Sequence, residues 1–133
     1  MKVLLLSSEV EPFAKTGGLA DVAASLPRAL RDLGHQVAVI MPGYRRALFS
    51  GRPVRETGVT VQVPITRRTV EGRVLVSTLP GCDVPIYLID CPAYFDRSGV
   101  YGSEGVDYPD NCERFVFFQR AALEATRMLE LHP

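Results

Sequence analysis

Two short, nearly unbroken apolar runs, KVLLLS at 2–7 and QVAVIMP at 36–42, bracket a stretch with helical spacing. Runs of this length without polar alternation suit strands buried on both faces of a parallel sheet. Between them Leu19, Val22, Ala23, Leu26, Leu30 and Leu33 recur at helical intervals, and Gly34 stands where a helix C-cap belongs. Pro27 interrupts that pattern and predicts a kink or a restart, because proline removes a hydrogen bond and crowds the preceding turn. Strand, loop, helix and strand in this order open a doubly wound α/β sheet.

The middle of the chain reads differently. Residues 59–65, 73–79 and 85–90 alternate apolar and other side chains, with Gly72, Pro80-Gly81 and Asp83 as punctuation, which predicts hairpin-like strands. Residues 94–110 are rich in Gly, Tyr, Asp and Ser and read as one long ordered loop, a length that often carries function. A final helix is predicted over 111–131 with Asp110 as its N-cap. A parallel sheet would normally continue with another strand after this helix, so the chain reads as cut off after one incomplete domain, 1–133.

Size and charge narrow the classes. A chain of 133 residues with 47% hydrophobic residues can bury one substantial core. Fifteen basic residues balance fifteen acidic ones, so bulk charge points to neither nucleic acid nor an anionic membrane. The apolar part of MKVLLLSSEVE is only Val3 to Leu6, too short for a signal peptide core or a membrane span, which predicts a cytoplasmic protein. Cys82, Cys91 and Cys112 form no CxxC pair and read as reduced thiols, and His35 and His132 lie far from any cysteine cluster, so neither metal nor cofactor is expected.

The chemistry concentrates in SSEVEPFAKTGGLADV, residues 7–22. A helix N-terminus exposes unpaired N–H groups and the positive end of the macrodipole, which suits an anion. Gly17 and Gly18 would let backbone approach a ligand, and Lys15 adds a full positive charge. The loop also lies at the carboxyl end of the first strand, where α/β sheets bind ligands. Neither GxxxxGK[ST] nor GxGxxG is present, which disfavours a P-loop or a dinucleotide dehydrogenase. On these grounds alone, a phosphate cradle and a plain tight turn with a solvated lysine both remain open.

The string KTGGLADV after a short strand, with SSE.EPFAKTGGL ahead of it, resembles the N-terminal signature of bacterial glycogen synthases and plant starch synthases. The likeness continues through LPRALRDLGHQVAVIMPGY, PIYLIDCPAYFDR and YPDNCERFVFF, and is weakest over 50–80. It implies the Rossmann-like N-terminal domain of a two-domain GT-B glycosyltransferase, without its C-terminal nucleotide-binding domain. It also implies glucose transfer from ADP-glucose to the non-reducing end of an α-1,4-glucan (glycogen), with retention and without a metal. Lys15 then matches the lysine that contacts the donor, with Gly17 and Gly18 the backbone part of the same loop. Glu9 would order the loop or touch a sugar hydroxyl; Asp21 would serve the donor site or simply favour the helix dipole. Phe95, in Tyr94-Phe95-Asp96-Arg97, borders the implied cleft and would stack on a sugar or cap the core. Asp110, Asn111, Arg114 and Phe115 match DNxxRF, for which an N-cap, a buried amide network and core packing are expected. The family's catalytic histidine would follow beyond Pro133, so no catalytic residue is assigned and the chain alone is expected to be inactive. A related transferase with another acceptor, a free-standing nucleotide-sugar-binding module and a gene remnant are the alternatives.

Overall fold

A computed structural model describes residues 1–133. The elements run β1 (Lys2–Leu6), α1 (Gly18–Asp32), β2 (Gln36–Pro42), α2 (Arg45–Leu48), β3 (Arg55–Ile65), β4 (Arg68–Thr78), β5 (Pro85–Asp90), α3 (Pro92–Phe95), β6 (Gly102–Ser103), β7 (Val106–Asp107) and α4 (Asn111–Met128). A five-stranded sheet has the order β1-β2-β5-β4-β3. β1, β2 and β5 are mutually parallel, while β4 pairs antiparallel with both β5 and β3. The parallel half is thus the predicted β–loop–α–β opening, and the antiparallel half is the predicted hairpin. No helix is long and apolar enough to cross a membrane.

α1 ends as its sequence directs. Gly34 takes φ +89°, its N–H reaches the Arg31 carbonyl at 2.9 Å, and the His35 N–H reaches that of Leu30 at 3.1 Å. This is the paired closure of a glycine-terminated helix. Pro27 neither ends nor restarts it: one element spans Gly18–Asp32 with Pro27 buried inside. The missing N–H removes a single intrahelical bond, which the packed face on either side tolerates.

The packed face of α1 is not the stripe of large residues. Ala20, Ala23, Ala24 and Pro27 are buried, whereas Leu19, Val22, Leu26 and Leu33 are 51%, 58%, 42% and 74% exposed. Small side chains let the helix approach the sheet closely, so the alanines win the interior. In α4 pattern and packing agree: Arg114, Phe117, Phe118, Ala121, Ala122 and Ala125 form one buried stripe.

Gly72 corrects a predicted boundary. It lies inside β4, opposite Val61, where a Cβ would stand 3.0 Å from Phe117 Cζ and 3.3 Å from Val61 Cγ2. The glycine makes room for an aromatic ring of α4 against the sheet, and the hairpin turns instead at Thr66–Arg67, between the paired Ile65 and Arg68. The predicted long loop is also subdivided, into the α3 turn and the small β6–β7 ribbon.

Candidate functional site: the loop between β1 and α1

The segment leaving β1 divides into a buried half and an exposed half. Val10, Phe13 and Ala14 are at most 1% exposed and anchor the loop in the core. The Ala14 N–H closes on the Val10 carbonyl at 3.0 Å, and the Glu11 N–H bonds the Ala20 carbonyl at 3.1 Å, tying the loop to the first turn of α1. Lys15, Thr16, Gly17 and Gly18 follow on the surface.

Glu9 organises the exposed half from beneath. It is 4% exposed, and its Oε1 accepts from the Thr16 N–H, the Thr16 hydroxyl at 2.8 Å and the Gly17 N–H at 3.3 Å. Its Oε2 accepts from the Tyr101 hydroxyl at 2.6 Å. Burial acts to raise this carboxyl, but the bonds from Tyr101, Thr16 and Gly17 outweigh it and hold it below the usual carboxylate value. Of the two roles open to Glu9, the geometry is that of loop ordering: both oxygens are occupied within the chain.

Lys15 Nζ lies 2.8 Å from Asp21 Oδ1, and both side chains are about half exposed. The hydrogen bond and charge of Asp21 raise the lysine above its usual value, so it is a full cation at neutral pH. Asp21 therefore sits in the first turn of α1, favoured by the dipole, and at the same time steers the Lys15 ammonium over the helix start.

At that helix start no hydrogen bond within the chain occupies the N–H groups of Gly18 and Leu19. Gly17 is extended (φ −161°, ψ −162°), and a Cβ at either Gly17 or Gly18 would meet nothing within 4 Å. Neither position needs glycine for the sake of the chain's own packing.

The sequence reading missed Tyr101. Its hydroxyl lies 2.7 Å from Ser8 Oγ as well as on Glu9, while burial and donation to Glu9 push its own ionisation up to about 12. Asn111 Nδ2 donates to the Tyr101 carbonyl at 2.8 Å, and Asn111 Oδ1 accepts from Arg114 at 2.8 Å. The expected amide network of DNxxRF is present and supports the β1–α1 loop through Tyr101. A tyrosine among the glycines of 99–105 was the available signal, without any indication of its partner.

Two assignments are corrected. Asp110 occupies the N-cap position of α4 but makes no side-chain cap; its two oxygens take Arg97 at 2.7 and 2.6 Å. A bidentate charged pair outcompetes a single backbone N–H. Phe95 is 0% exposed, packed edge-on to Tyr44 at 5.6 Å and 5.5 Å from the Arg114 guanidinium, so it presents no face for a sugar. Arg114 is itself fully buried, held by the carbonyls of Tyr94 at 2.7 Å and Val100 at 2.9 Å and lying over the ring of Tyr108. Lys15, Gly17, Gly18, Glu9 and Asp21 thus converge on one loop, and Phe95 stands apart in the core.

The family model described as starch synthase catalytic domain matches residues 2–133. The chain is 44% identical over its whole length to Glycogen synthase 2 of Geobacter sulfurreducens and 45% identical to Glycogen synthase of Syntrophotalea carbinolica. It spans 27% of the length of each. Among solved structures it resembles the catalytic domain of Starch Synthase IV from Arabidopsis thaliana bound to ADP and acarbose, with TM-score 0.81 and 30% identity over 96% of this chain and 25% of that one.

Proposed function

The chain belongs to the starch synthase catalytic domain family, and from that premise we propose that its β1–α1 loop receives the diphosphate of ADP-glucose. In a polypeptide of the relatives' length, this loop and the C-terminal nucleotide-binding domain would together serve transfer of glucose to the non-reducing end of an α-1,4-glucan, with retention. The observation that carries the reading is the pair of unpartnered N–H groups at Gly18 and Leu19, at the start of a fifteen-residue helix and beside a cation. Backbone donors, dipole and ammonium together suit a departing diphosphate, whose negative charge grows as the glycosidic bond to it breaks.

In this reading Lys15 contacts the diphosphate, Asp21 positions Lys15, and Glu9 holds Thr16 and Gly17 so that the helix start is preformed. Preorganised donors need no rearrangement as charge develops, which is how such loops accelerate transfer. The chain supplies one wall of a two-walled cleft, so alone it binds weakly and transfers nothing. The solved relative is bound to ADP and acarbose, which supports nucleotide and saccharide binding in the family.

The test is glucan elongation by a chain of the relatives' length with wild-type or alanine at position 15. Lys15→Ala should raise the ADP-glucose concentration needed by about tenfold to a hundredfold, the effect of one lost charge-assisted contact, while acceptor dependence stays put. Unchanged donor dependence would make the lysine a solvated bystander, and elongation by residues 1–133 alone would overturn the two-walled requirement.

A further inference from the structure

Ser8, the residue before Glu9, is gripped from two sides. Its hydroxyl meets that of Tyr101, and its carbonyl accepts from the Tyr44 hydroxyl at 2.8 Å. The N–H of the same peptide, that of Glu9, donates to Ser7 Oγ at 3.3 Å. The Ser7 hydroxyl donates in turn to the Glu9 carbonyl at 2.7 Å. A trans peptide is a rigid plane whose C=O and N–H point opposite ways, so holding both ends fixes the orientation of the Ser8–Glu9 plane. That orientation, with Ser7 Oγ on both backbone groups of Glu9, sets the direction in which the Glu9 side chain leaves the chain.

Both anchors are tied to the sheet. Ser7 follows β1, and its N–H bonds the Ile40 carbonyl of β2 at 3.1 Å. Tyr44 comes two residues after β2 and is 1% exposed. Gly43 brings it there. The Gly43 N–H bonds the Ile89 carbonyl at 2.8 Å, and a Cβ would stand 3.1 Å from that oxygen and 3.2 Å from Asp90 Cα. A glycine lets the chain pass this close to the end of β5. The Tyr44 ring then stands edge-on to the buried Phe95, at 5.6 Å and 88°. Phe95 thus seats the ring whose hydroxyl reaches the loop.

We infer that Tyr44 is a positioning residue for the β1–α1 loop. With Ser7 it orients the Ser8–Glu9 peptide, and through the Glu9 carboxylate it holds the Thr16 and Gly17 N–H groups ahead of the helix start. The one hydrogen bond of its hydroxyl goes to the Ser8 carbonyl, so its effect on residues 15–19 passes through Glu9. This tether is separate from that of Tyr101, which holds the carboxylate itself. The inference rests on the reading of this loop as the donor site.

The test is Tyr44→Phe in a chain of the relatives' length, which keeps the ring and removes the hydroxyl. Amide hydrogen exchange at Thr16 and Gly17 should quicken about tenfold. Exchange at Glu11 and Ala14, whose N–H groups bond backbone carbonyls of the same loop and helix, should stay as it was. The ADP-glucose concentration needed should rise about tenfold with acceptor dependence unchanged, and on a Glu9→Gln background the same substitution should add little. Unchanged exchange at Thr16 and Gly17 overturns the inference, and so does equal quickening at all four amides, which would mean general loosening. If Lys15→Ala raises the donor requirement and Tyr44→Phe does not, the inference falls and the donor reading stands; if neither does, both fall. Should Tyr44→Phe not fold, Ser7→Ala frees the other end of the same peptide and is read at the same four amides, with the same outcomes.

Discussion

The hydroxyl of Tyr101 donates a 2.6 Å hydrogen bond to the carboxylate of Glu9, joining positions 92 residues apart. The bond sets the β1–α1 loop on the β6–β7 region, and Asn111 and Arg114 hold that region in turn. The surface loop proposed to meet a diphosphate is thereby backed by a partly buried chain of polar contacts that ends in the fully buried guanidinium of Arg114. Through these contacts, local order at the loop depends on groups from three separate stretches of sequence: the loop itself, Tyr101 and the start of α4.

Tyr101→Phe keeps the ring against Phe115 but leaves Glu9 Oε2 and Ser8 without their shared partner. A lost bond to a buried charged acceptor should cost about 1–2 kcal/mol of stability. In the longer enzyme the apparent affinity for ADP-glucose should fall about tenfold, from a loop no longer held in place. Thermal denaturation and donor titration would check both parts; intact donor affinity would separate Tyr101 from the loop's function.

Glu9 gives the chain a definite acid response. Its folded-state carboxyl is held below the ordinary value of 4.5, so its contribution to stability is fully present above that pH. It is lost as pH falls through the folded-state value, when the carboxylate must take a proton. Glu9→Gln should therefore be less stable than wild type near neutrality, by about 2 kcal/mol, with the gap closing as the pH drops well below 4. Parallel melting curves from pH 7 to 3 would show it; a gap constant across that range would mean that the carboxylate charge is not what orders Thr16 and Gly17.

Gly18 separates folding from binding. Its Cβ position is open and its φ is not positive, so Gly18→Ala should leave stability unchanged or raise it by up to about 1 kcal/mol. If the loop receives the diphosphate as proposed, the added methyl group stands in the path of the phosphate to the backbone, so donor use in a chain of the relatives' length should fall. Normal donor kinetics in Gly18→Ala would remove the close-approach reason for the glycine pair.

Gly72 makes the opposite case. A methyl group there meets Phe117 Cζ at 3.0 Å, Val61 Cγ2 at 3.3 Å and Ile89 Cγ2 at 3.4 Å, all in the packed core. Gly72→Ala should cost about 1–3 kcal/mol through overpacking. Donor affinity of the folded fraction should not change, because none of the side chains the methyl group would meet belongs to the β1–α1 loop. Denaturant midpoints measure the first statement, and a tolerated alanine would show that α4 can shift on the sheet.

Some of this was legible in the order of residues alone. KVLLLS and QVAVIMP became parallel neighbours, Gly34 closed α1, and Lys15, Gly17 and Gly18 came out together at a helix start. These features rest on short-range rules: strand and helix periods, the left-handed freedom of glycine, and the polarity of a helix end all act within a few residues. Tertiary structure decided the rest. It chose Ala20, Ala23 and Ala24 over Leu19, Val22 and Leu26 for the interior, because closeness of approach outweighs the hydrophobicity of a single side chain. It turned Phe95 onto Arg114 and Asp110 onto Arg97. It also gave Glu9 its partner in Tyr101, since a buried carboxylate must be satisfied by whatever donor the fold brings within reach, and nothing in local sequence names a donor so distant along the chain.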